Sequence, residues 1–97
     1  MQSKVSAAIL CGGESRRMGQ DKAKLQIGEY TFLEQIVRNV MDNGPDEMFL
    51  SVRRKNDYSE IKVTHIEDLE QNKGPLMGIY SVMCVASYEK IWVTSCD

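Results

Sequence analysis

A short apolar run, Val5 to Leu10, leads directly into Cys11-Gly12-Gly13-Glu14-Ser15-Arg16-Arg17-Met18-Gly19-Gln20-Asp21-Lys22. No other feature of the chain restricts its fold as strongly. Six apolar or small residues that run into a glycine pair read as a buried strand. The glycines let the backbone turn sharply and bring its N–H groups close to a bulky anion. Arg16, Arg17 and Lys22 add cationic donors for phosphate oxygens. A strand end that opens into such a loop is where α/β proteins hold nucleotides, and the chemistry it suits is a reaction on a nucleoside triphosphate.

Two common phosphate loops are excluded. A Walker loop ends in Gly-Lys-Ser/Thr, whereas Lys22 follows Asp21 and precedes Ala23. The dinucleotide fingerprint needs glycine at its first, third and sixth positions, a spacing absent from Gly12 or Gly13 onward. A solvated glycine turn accounts for Gly12-Gly13 alone. It does not account for the added spacing of Arg17, Gly19 and Lys22.

The rest of the chain alternates strands and helices, which predicts an α/β fold. Leu25 to Ile27 is extended before a turn at Gly28-Glu29. Thr31 with Glu34 forms a capping box that starts a helix. Phe32, Leu33, Ile36, Val37, Val40 and Met41 line one of its faces, and Asn43-Gly44-Pro45 stops it. Met48 to Val52 and Lys62 to Ile66 read as further strands. The nine residues between them, Arg53 to Ile61, are few for a helical crossover, so their pairing stays open on spacing alone. Pro75 suits the first position of a second helix, with Leu76, Ile79, Tyr80 and Met83 as its core stripe. Ile91 to Thr94 is the last strand.

Ninety-seven residues with 42% hydrophobic content allow one small domain. A net charge of −2 gives no general attraction to nucleic acid or to an anionic membrane. No apolar run is long enough to span a membrane, and Met1 to Lys4 carry no signal-peptide pattern. Three cysteines without Cys-x-x-Cys spacing suggest reduced thiols and a cytoplasmic protein. His65 has no ligand-spaced partner and reads as a solvated strand residue.

The motifs resemble the signature of the molybdenum cofactor guanylyltransferases and their nucleotidyltransferase relatives. Leu10-Cys11-Gly12-Gly13, Arg17-Met18-Gly19 and Asp21-Lys22, closed by Leu25, follow that family's first loop. Ile66-Glu67-Asp68 follows its acidic segment, Gly74-Pro75-Leu76 with Gly78 its second loop, and Cys96-Asp97 its metal-site strand end. The likeness covers nearly the whole chain. The first loop alone is shared with cytidylyl and sugar-nucleotide transferases.

The resemblance implies a mostly parallel, doubly wound, Rossmann-like sheet of the nucleotide-diphospho-sugar transferase type, with a short helical crossover between the second and third main strands. It also implies that residues 1–97 are the N-terminal portion of one nucleotidyltransferase domain, ending after the fourth main strand. The family's second half carries another metal-binding carboxylate and much of the acceptor site.

Residue by residue, it implies that Leu10, Cys11, Gly12 and Gly13 shape the nucleotide pocket. Arg17 and Lys22 would act on phosphate, Asp68 would help fix the nucleoside, Gly74 would open the second loop at a helix N-terminus that favours anions, and Asp97 would hold Mg2+. Surface charge competes with a role for Arg16, a turn residue for Asp68, and plain helix initiation for Gly74-Pro75. Two positions depart from the family. Cys11 replaces alanine and is read as a small apolar filler. Ser51 stands where relatives often carry a base-contacting asparagine, which bears on guanine selectivity.

The expected reaction is transfer of GMP from MgGTP to the terminal phosphate of molybdenum-molybdopterin, with release of pyrophosphate. An ionised phosphate acceptor needs no side-chain base, so positioning, magnesium and cations suffice. Molybdoenzyme-maturation proteins are further expected partners. The alternatives are a cytidylyltransferase or another nucleotidyltransferase of the same fold, and a non-catalytic nucleotide-binding fragment.

Overall fold

The computed structural model describes residues 4–11, 24–52, 58–67 and 75–95. Strand β1, Val5–Leu10, takes the bounds its apolar run predicts. Five of its six residues are buried, as a strand covered on both faces requires. Gln26–Ile27 and Tyr30–Thr31 form the antiparallel pair β2 and β3 around a turn where Gly28 adopts φ +64°. That left-handed conformation favours glycine.

Helix α1, Phe32–Asp42, begins at the expected capping box. The Glu34 N–H donates to Thr31 Oγ1 at 3.2 Å, and Glu34 Oε1 accepts from the Thr31 N–H at 2.9 Å. At the other end the Gly44 N–H donates to the Met41 carbonyl at 3.0 Å with Gly44 at φ +71°. Leu33 and Val37 are buried, with Ile36 and Val40 packed beside them. Met41, expected on the same face, is exposed because it lies in the last turn, past the cover of the sheet.

Strands β4, Glu47–Val52, and β5, Thr64–Glu67, are parallel, which answers the pairing that spacing left open. β5 starts later than Lys62 because the Ile61 N–H turns back to the Tyr58 carbonyl at 3.0 Å. His65 is half-buried, its Nε2 2.8 Å from the Ile61 carbonyl oxygen, rather than simply solvated. The expected helical crossover falls partly on residues 53–57, outside the described residues; residues 58–60 form a turn.

Helix α2, Pro75–Val85, precedes β6, Lys90–Ser95. Its expected stripe turns outward in part: Ile79 is half-buried, and the Leu76 side chain lies outside what the structure describes. Tyr80 and Met83 are exposed, while Gly78, Ser81 and Val82 are buried. The helix is apolar on nearly every side, so periodicity cannot select a face. The sheet decides, burying Val82 against Ala8 and Phe49.

All four long strands are parallel, in the order β5-β4-β1-β6. Alternate residues divide between two clusters. Ile9, Cys11, Leu50 and Val52 pack with Leu33 and Val37 of α1, whereas Ala8 and Phe49 pack with Val82 of α2. The helices therefore cover opposite faces, a doubly wound α/β arrangement.

Candidate functional site

Parallel pairing brings the carboxyl ends of the strands to one edge. Leu10 lies opposite Ser51 on one side and Ser95 on the other, and Val52 lies opposite Glu67. From β1 the chain crosses to β4 and β5 on one flank, and β6 lies on the other. The strand order thus reverses between β1 and β6. The crevice outside the carboxyl ends at such a reversal is where open α/β sheets bind ligands.

The ladder continues one residue past β1, where the Cys11 N–H donates to the Ser51 carbonyl at 2.7 Å. This bond holds the backbone straight up to the residue before Gly12. The Cys11 side chain is buried in the α1-side cluster, as expected of an apolar filler. Ser51 is fully buried, and Leu10 is half-buried. Leu10, Cys11 and Ser51 are thus brought together at the β1–β4 end. Gly12, Gly13, Arg17, Lys22, Asp68, Gly74 and Asp97 lie outside the described residues.

In sequence, Gly12 to Lys22 follow β1, Asp68 and Gly74 follow β5, and Asp97 follows β6. Each of these candidates therefore belongs to a segment that departs from a carboxyl end. Among the described residues there is no group of three or more His, Cys, Asp or Glu arranged to hold a metal.

Two residues that sequence reasoning passed over flank this edge. The Lys24 ammonium sits over the Tyr58 ring, 5.6 Å from its centroid. Tyr58 is buried in the same cluster as Cys11 and adopts φ 56°, a left-handed conformation that a bulky residue holds only under tight packing. The pair ties the residue just after the first loop to the residues leading into β5. No local pattern announces a contact between residues so far apart in the chain.

Among the described residues, the shifted ionisations lie on the helices. Hydrogen bonds from Thr31, its backbone N–H first, hold the Glu34 carboxyl below the usual carboxylate range, with a smaller contribution from Arg38. A hydrogen bond with Cys84 raises the Tyr80 hydroxyl above its ordinary value. No described helix is long and apolar enough to cross a membrane.

The model of the MobA-like NTP transferase domain matches residues 7–97. A probable molybdenum cofactor guanylyltransferase of Carboxydothermus hydrogenoformans is 36% identical over 93 residues, covering 96% of this chain and 46% of that protein. One of the same name from Clostridium perfringens is 34% identical over 95 residues, covering 97% and 47%. The chain spans about half the length of these relatives. The crystal structure of Rv0371c from Mycobacterium tuberculosis H37Rv superposes with a TM-score of 0.73 over 98% of this chain and 53% of that one. At 17% identity this likeness speaks for the fold.

Proposed function

The chain belongs to the MobA-like NTP transferase domain family, and from that premise we propose that it forms the nucleotide-binding part of a molybdenum cofactor guanylyltransferase. The reaction would transfer GMP from MgGTP to a molybdopterin-type acceptor. The acceptor's terminal phosphate oxygen attacks the α-phosphorus, the bond to the β-phosphate oxygen breaks, and pyrophosphate leaves. One observation carries this reading: Leu10, Cys11 and Ser51 meet at the carboxyl edge beside the strand-order reversal, and every other candidate follows a strand end at that edge.

In this reading the backbone from Leu10 to Gly13 frames the triphosphate. Arg17 and Lys22 neutralise the charge that grows on the phosphate oxygens as pyrophosphate departs. Asp68 borders the nucleoside, and Gly74 opens the second loop at a helix N-terminus, which favours an anion. Asp97 would hold the magnesium ion, which supplies Lewis-acid stabilisation of the phosphate chain when bound. Ser51 is short and buried, which leaves the backbone and neighbouring loops to select the base. Cellular GTP and reduced thiols make the cytoplasm the proposed compartment.

Pyrophosphate release from MgGTP in the presence of a molybdopterin-type acceptor tests the proposal. Release that falls when Lys22 is replaced by alanine supports it. Nucleotide binding without release would instead identify a non-catalytic nucleotide-binding fragment.

A further inference from the structure

The first loop begins after Cys11 and ends before Lys24, and both of these flanking residues lead to one side chain, Tyr58. Cys11 is buried in the cluster that holds the Tyr58 ring, together with Ile9, Leu50 and Val52. Lys24 carries its ammonium over that ring, 5.6 Å from the centroid. Beside Lys24, the Leu25 carbonyl accepts from the Phe32 N–H at 2.7 Å, at the start of α1. The entry to the loop is therefore fixed by the β1–β4 ladder, and its exit by α1 and Tyr58.

Tyr58 sits at φ 56°, where glycine is at ease and a bulky residue is strained. Its ring is what the position obtains in return: it fills the α1-side cluster and presents a face to a cation. Lys24 has no part in the proposed phosphate contacts, which belong to Arg17 and Lys22. It does stand two residues after Lys22. Two residues span at most about 7 Å, so a fixed Lys24 confines the backbone of Lys22 to its neighbourhood.

We propose that Tyr58 is a positioning residue for the first loop: through Lys24 it fixes the point from which Lys22 reaches the nucleotide's phosphates. The two lysines divide the work. The charge of Lys24 is spent on the ring, and that of Lys22 is left for the triphosphate. A loop held at both ends before its ligand arrives loses less freedom on binding, and a cation held in place stabilises phosphate better than one displaced. The inference deepens the proposed nucleotide reading and rests on it for the role of Lys22.

Lys24→Met keeps the side-chain stem, removes the charge and alters only an exposed residue. Without nucleotide, amide hydrogen exchange in residues 12–23 should quicken several-fold in this variant, with β4 and α2 unchanged. No phosphate is present there, so a direct phosphate contact by Lys24 cannot produce that change. Lys24→Arg, whose guanidinium also stacks on rings, should restore the exchange of the parent chain. In calorimetry, affinity for MgGTP should fall about two- to fivefold in Lys24→Met and recover in Lys24→Arg. Added to Tyr58→Leu, Lys24→Met should weaken binding no further. A full further loss overturns the proposal, because Lys24 would then meet phosphate itself. Unchanged exchange in Lys24→Met overturns it too, as does unchanged affinity in a chain that binds MgGTP; neither needs Tyr58→Leu to fold. Quickened exchange in a chain that binds no MgGTP upholds the hold of Tyr58 on the loop and contradicts the nucleotide reading alone.

Discussion

The Cys11 N–H and the Ser51 carbonyl oxygen, 2.7 Å apart, carry the β1–β4 ladder to the residue before the glycine pair. The bond belongs to the backbone, so side chain and amide are separable. Cys11→Ala keeps the donor and should cost about 1 kcal/mol, the value of a small buried group. It should leave nucleotide affinity unchanged. Cys11→Pro removes the donor and strands the Ser51 carbonyl, at about 1–3 kcal/mol, and nucleotide affinity should fall. Denaturant unfolding paired with nucleotide titration distinguishes the two variants.

The capping box sets both the start of α1 and an acid sensitivity. Thr31→Ala should cost about 1 kcal/mol. Because Glu34 titrates lower when folded than when unfolded, its contribution is complete above the usual glutamate range. It is lost as pH falls through that range toward the lowered folded value. Glu34→Gln should therefore reduce the loss of thermal stability between about pH 5 and about pH 3. An unchanged acid limb would contradict the assignment.

Helix α2 offers the sharpest test of packing. Val82 is fully buried against Ala8 and Phe49, whereas Met83, one residue on, is 58% exposed. Val82→Ala should cost about 2 kcal/mol and Met83→Ala under about 0.5 kcal/mol. Equal costs from chemical denaturation would return the helix to the face its periodicity suggested.

Those two helices explain what the sequence makes legible. In α1, apolar residues recur on one face and Thr31 with Glu34 marks its start, so bounds and most of the buried face follow. β1 is legible because a strand covered on both sides must be apolar throughout. In α2, Met77, Ile79, Tyr80, Val82, Met83 and Val85 surround the axis, and only the sheet decides that Gly78, Ser81 and Val82 face inward. At the site, Leu10, Cys11 and Ser51 meet because parallel strand ends share an edge. The Lys24–Tyr58 contact was not legible, since it joins two loops through tertiary packing and a left-handed tyrosine.

That contact can be weighed directly. Tyr58→Ala removes a buried ring from the cluster around Ile9 and Cys11 and should cost about 3 kcal/mol. Lys24→Met removes only the cation and should cost about 0.5–1 kcal/mol. A double-mutant cycle on unfolding free energy should return a favourable coupling for the pair. Strict additivity would mean that the cation and ring do not interact.

The central claim is that the carboxyl edge holds a nucleoside triphosphate through the segment after β1. Calorimetric titration of the folded chain with GTP and with CTP, each with and without magnesium, tests it most directly, with Lys22→Ala alongside. The account predicts magnesium-dependent binding, GTP preferred over CTP, and loss of at least about tenfold in affinity in the variant. No binding by the folded chain, or equal binding by Lys22→Ala, would contradict it.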